Sequence, residues 1–141
     1  MDQRRLWTAA IFLFTIGDAL ALQVRGAIIP SLSEEFQVSE ALLGLVAPAG
    51  TAGFIVAILV VGTAAGRLNV RRTVLGALGV AAVAFLVMGA APIYPLFLVF
   101  LLVQGSADGV VRGLDRPILS HLYPSQRGRI FNVYALVWAI G

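Results

Sequence analysis

Five side chains able to do chemistry stand inside long apolar runs: Asp18, Arg25, Gln104, Asp108 and Arg112. A carboxyl group in a poorly hydrated place keeps its proton more readily than in water, so it can load and unload one as its surroundings change. A guanidinium in such a place offers a permanent charge and a fork of donors to an anionic partner. No nucleophile–base pair or phosphate-binding loop accompanies them. His121 is the sole histidine and there is no cysteine, so thiolate and histidine metal clusters are excluded. The pattern points to handling of protons or small solutes rather than to an enzyme, with no cofactor and no metal. Asp18 is the candidate proton-coupling acid, and Arg25, Gln104, Asp108 and Arg112 are candidate cavity residues.

The medium around these residues follows from composition. The 141-residue chain is 60% hydrophobic and 12% charged, with a mean hydropathy of +0.95. A soluble domain carries roughly a quarter of its residues as charges, so the bilayer is the expected solvent. All ten basic residues are arginines, scattered between apolar runs rather than gathered in a patch, which argues against a nucleic-acid partner. The expected partners are the lipid bilayer and a small-molecule substrate.

Spans of about 20 apolar residues cross a membrane as helices. Four are expected at about 6–30, 41–66, 73–91 and 94–119, and residues 130–141 begin a fifth too short to cross. Pro30, Pro48 and Pro117 are expected kink sites, and Trp7 and Tyr94 sit where an interfacial aromatic belt would. Arg4 and Arg5 precede the first span, Arg67, Arg71 and Arg72 follow the second, and Arg127 and Arg129 follow the fourth. The other connections hold Glu34, Glu35 and Glu40, or no charge. The positive-inside rule then puts the N-terminus in the cytoplasm of a protein of the cell (plasma) membrane. Arg4–Arg5, the run from Leu6 and Ala19-Leu20-Ala21 also resemble a cleavable signal peptide, a reading that would strand Arg25 outside the membrane.

The fourth span has its own order. At 100° per residue Gln104, Asp108, Arg112, Asp115 and Arg116 fall within an arc of roughly 120°. Gly105, Gly109 and Gly113 recur every four residues beside it, a spacing that lets another helix approach closely. Asp108 and Arg112 stand in the favourable order for an in-helix pair. Asp115 and Arg116 are expected near the cytoplasmic interface as topological anchors. On the first span Thr15, Asp18 and Arg25 share a face, where Arg25 has snorkelling to the outer surface as its alternative.

One phrase is written twice. VRGAIIPSLS (24–33) and VRGLDRPILS (111–120) agree at six of ten positions, 87 positions apart, and Phe36 and Tyr123 extend the match at the same offset. Three spans separate the starts of the two copies, so they run through the membrane in opposite directions. Secondary transporters are commonly built from such inverted repeats.

GTAAGRLNVRR (62–72) and QGSADG (104–109) followed by YPSQRGR (123–129) complete a resemblance to the major facilitator superfamily. Gly62, Arg67 and Arg71 match its cytoplasmic loop signature, and Arg72 continues the basic run. Gly66 stands where the family has an aspartate that helps to hold the outward-facing state. Asn69 replaces a glycine, as a residue tolerant of positive φ. Leu101 stands where the family often has an arginine. The resemblance implies an all-α membrane protein, a transmembrane helix bundle made of the first four helices and the start of a fifth of an MFS-type fold with 3+3 inverted repeats. The match covers the whole chain, about the first third of a typical member, so residues 1–141 are expected to form a partial N-terminal bundle. It further implies that the first and fourth helices line the substrate cavity, in a secondary active transporter that works by alternating access. The remaining helices of the transporter, or other protomers, would complete it. Two alternatives remain: an autonomous four-helix protein acting as an oligomeric exporter, and a non-transporting truncated product.

Overall fold

The computed structural model describes residues 3–141, and among them there are helices and no strand. In order they are α1 (Gln3–Ala27), α2 (Ile29–Phe36), α3 (Glu40–Leu43), α4 (Val46–Ala64), a 3-10 turn (Ala65–Arg67), α5 (Val70–Gly89), α6 (Tyr94–Leu122) and α7 (Arg127–Ile140). Four stretches are long and apolar enough to cross a membrane: Gln3–Ala27, Glu40–Ala64, Val70–Gly89 and Tyr94–Leu122. Leucines such as Leu13 and Leu86, 71% and 75% exposed, cover the outside of these helices. So extensive an apolar surface belongs in lipid.

The ends of the helices differ from the expected spans, and two prolines explain how. Pro30 is the second residue of α2 and Pro48 the third of α4. At those positions the missing N–H would have no intrahelical partner anyway. Both therefore mark a helix start after a break rather than a kink within a helix. The first span ends at Ala27 instead of residue 30, since a helix continuing through Pro30 would press the ring against the carbonyl of Gly26. The second span is interrupted at Gly44–Leu45, where the Gly44 and Leu45 amides still donate to Glu40 O (3.0 Å) and Leu42 O (2.9 Å). Pro117 alone lies within a helix, and α6 runs on through it to Leu122. Half of the most apolar window of α6 is buried, against 17–28% for the other three, so α6 is the most buried of the four.

The chain forms two compact units, one from the N-terminal segment to Ile28 plus Asp115–Gly141, the other Ile29–Leu114. In the first, Ile11, Leu119 and Tyr134 form a core with Phe12, Ile118 and Ile130 packed on it. α7 lies so close to α1 that a Cβ on Gly141 would stand 2.7 Å from the Ile16 carbonyl and 2.8 Å from Ala19 Cβ. In the second, α4 and α6 touch backbone to backbone. A Cβ on Gly105 would overlap the Gly50 carbonyl, one on Gly109 the Phe54 carbonyl, and one on Gly53 the Leu102 carbonyl. Gly113 is looser, with Val61 3.2 Å from where its Cβ would be.

These units are two versions of one construction. The unit boundaries, after Ile28 and before Asp115, fall within a residue of the 87-position offset. Each unit thus joins the leading helix of one copy to the trailing segment of the other. In the second unit Phe36, which trails the first copy, packs on the start of α6, its ring 5.7 Å from Tyr94 and 6.1 Å from Phe97. In the first unit its counterpart Tyr123 packs on the start of α1, its hydroxyl 3.0 Å from Thr8 Oγ1 and its ring 4.5 Å below the Arg4 guanidinium. The close helix contacts correspond too. Gly53 meets Leu102 and Ser106, and Gly141 meets Ile16 and Ala19, each pair matching the other to within one residue at the same offset.

Contacts this close make a prediction. Gly105→Ala forces α4 and α6 apart and should cost about 1–3 kcal/mol, the usual range for overpacking. Gly76→Ala, where a Cβ meets nothing within 4 Å, should keep or slightly raise stability, because alanine favours a helix interior over glycine. Denaturation of the purified variants in mixed micelles checks the difference, and equal stability would contradict the close packing.

Candidate functional site

The candidate residues divide between the two units. Gln104, Asp108 and Arg112 belong to the second, on successive turns of α6. Gln104 is fully buried and Asp108 is 6% exposed, and the Gln104 Nε2 group donates to the Asp108 carboxylate one turn on. Gln104 is therefore a partner of this acid within α6. Arg112, one turn further, is half-buried. The protein itself thus closes around Gln104 and Asp108, whereas Arg112 retains surface.

Asp18 and Arg25 belong to the first unit, on α1. Ile11, Thr15, Asp18 and Arg25 lie within an arc of about 80° at 100° per residue. Thr15 is 1% exposed, and its hydroxyl donates to the Ile11 carbonyl at 2.8 Å. This is how a helix hides a hydroxyl without an outside partner. Asp18 and Arg25 are both half-buried.

Asp115, expected as an anchor near the cytoplasmic interface, is enclosed by the protein. It is 1% exposed and accepts a hydrogen bond from the Tyr134 hydroxyl on α7. Arg116 is exposed, with its guanidinium 5.9 Å from the centroid of the Tyr134 ring. Burial was missed because the partner lies nineteen residues away on another helix. The one signal for it was a phenol, Tyr134, in a mostly apolar helix. Among the described residues no buried side-chain nitrogen or oxygen lacks a hydrogen-bond partner, and no group of three or more His, Cys, Asp or Glu is placed to hold a metal.

The loop residues have a local role. Asn69 has φ −76°, not the positive φ that its place in the motif implied. Its side chain instead caps α5, accepting from the Arg72 amide at 3.1 Å, which lets that helix begin at Val70 rather than residue 73. Gly62 has nothing within 4 Å of a would-be Cβ, so no close contact requires glycine there. Arg67, Arg71 and Arg72 are exposed.

The Asp115–Tyr134 bond ties α6 to α7 within one unit. Tyr134→Phe and Asp115→Asn should each destabilise the protein, and a double-mutant cycle should give a coupling of about 0.6 kcal/mol, the average for side-chain hydrogen bonds between membrane helices, and no more than about 1.7 kcal/mol. Strictly additive effects in SDS-unfolding measurements would show that the contact does not hold the helices.

These features can be set against known proteins. The family model described as the Major Facilitator Superfamily matches residues 8–141. No curated protein matches the chain, and neither does any solved structure. The match takes in α1 with its Asp18, the arginine-bearing turn before α5 and the polar stripe of α6, and this integral membrane protein belongs to the major facilitator superfamily of transporters.

Proposed function

We propose that the protein moves a small solute across the plasma membrane by alternating access, coupled to a proton carried by Asp18, with its N-terminus in the cytoplasm. The observation that carries this reading is the partition of charge among the spans. α4 has no ionisable residue, and α5 has only Arg71 and Arg72 in its first turn, whereas α1 and α6 carry acids and arginines deep within their lengths. Charges cost about 2.5–3.5 kcal/mol each at the centre of an inserted helix. They are tolerated where water, substrate or a partner receives them. In this reading Asp18, Arg25 and Arg112, which keep surface, meet the aqueous path. Gln104 and Asp108, closed in by the protein, hold the face of α6 beneath Arg112. Further helices complete the cavity, and the residues described here form its N-terminal part.

Proton coupling by a single acid has a direct test. Asp18→Asn removes the titrating group while keeping its size and a hydrogen-bonding end. In proteoliposomes with an internal pH dye, screened against a panel of anionic, zwitterionic and cationic solutes, the parent protein should acidify or alkalinise the lumen with one class of solute. The variant should lose that proton movement while still inserting and binding the solute. An unchanged proton flux in Asp18→Asn would remove Asp18 from the mechanism.

A further inference from the structure

The face of α6 turned away from Gln104, Asp108 and Arg112 borders a groove of about 380 Å³ within the second unit. Its walls are Arg72, Thr73, Gly76, Ala77 and Val80 of α5 and Val103, Ser106, Ala107 and Val110 of α6. The four α6 residues share an arc of about 100°, centred well away from the polar stripe. Gly76 has no side chain to fill the space, and Ala77 and Ala107 are too small to do so. The Ser106 hydroxyl already donates to the Leu102 carbonyl at 2.9 Å, so it offers an occupant no donor. What remains is an apolar trough whose other polar wall residues, Arg72 and Thr73, adjoin at the start of α5, with exposed Arg71 next in sequence.

Its dimensions match one leaflet of a bilayer. From Arg72 to Val80 is eight residues of helix, about 12 Å, and half of a hydrocarbon core of roughly 30 Å is about 15 Å. A ligand that fits is apolar along about 12 Å and negatively charged at one end. We propose that the groove holds one acyl chain of an anionic phospholipid of the cytoplasmic leaflet, with its phosphate against Arg72 and Arg71. The proposal rests on the orientation that puts the arginine-bearing turn in the cytoplasm, and not on proton coupling or on the role of Asp18. The inner surface is also where anionic lipids attract arginines.

Two measurements on the full native chain test it. In native mass spectrometry the parent protein should retain phosphatidylglycerol in preference to phosphatidylcholine. Arg72→Gln should weaken that preference roughly fivefold, the effect of about one interfacial arginine. This change leaves the backbone amide that Asn69 accepts from, so the helix cap survives. Gly76→Leu, whose Cβ meets nothing within 4 Å, should fill the trough and lower retention of both lipids. Arg129→Gln, an exposed arginine elsewhere, should change nothing. The segment described here has no cysteine, so a fluorophore on Val80→Cys, in a background with any other cysteine replaced, reports what fills the groove. Quenching by phospholipid carrying a mid-chain nitroxide supports a lipid tail there. Three results would overturn the proposal: no quenching because another segment of protein occupies the trough, equal lipid retention by all variants, and full competition by glycerol phosphate, which has a headgroup and no chain.

Discussion

Hydrocarbon offers no hydrogen bonds, and this constraint organises the molecule. Every polar group carried into the membrane must be satisfied by the protein or kept beside water. The hydroxyls show the cheapest solution. Thr15, Thr63 and Ser106 each donate back to a carbonyl three or four residues earlier on the same helix. The larger groups need side-chain partners, so the Asp108 carboxylate receives Gln104 and the Asp115 carboxylate receives Tyr134. Asp18, Arg25 and Arg112 keep some surface, and the proposed function places them beside the aqueous path.

Satisfying polar groups inside helices leaves helix association to packing, because lipid is as apolar as the side chains themselves. That is why α4 meets α6 through glycines with carbonyls pressed against them, and why α7 meets α1 at Gly141 in the same way. Part of this design appears twice, as the sequence phrase does. An aromatic residue trailing each copy, Phe36 or Tyr123, closes on the start of the helix that leads the other copy. Exchange of parts between copies ties the two halves of the repeat into each unit, which a simple tandem of three-helix units would not do.

Much of this was legible in the residues. Spans, polar stripe and glycine spacing are periodic features of one helix at a time, and periodicity survives without knowledge of neighbours. The repeat was legible because Arg and Pro at fixed spacing rarely coincide in an apolar alphabet. What escaped depended on a second helix or on local backbone competition. Pro30 and Pro48 read as kinks because a proline in an apolar run says that a helix is disturbed, but not whether it bends or restarts. Asn69 read as a stand-in for glycine, since motif position suggested its φ, whereas its side chain served a cap three residues from Arg72. Asp115 read as an interfacial anchor because its acceptor role needed Tyr134, which no helical period could connect to it.

The central claim is that the charged faces of α1 and α6 border water inside the membrane. Single cysteines at Asp18 and Arg112, in an otherwise cysteine-free protein, test it against one at Val99, an exposed apolar position on α6. A charged, membrane-impermeant thiol reagent applied to oriented vesicles should label Asp18→Cys and Arg112→Cys, and substrate should change their rates, while Val99→Cys stays unlabelled in lipid. Silent Asp18→Cys and Arg112→Cys, or labelling of Val99→Cys at the same rate, would mean that these faces line no aqueous path.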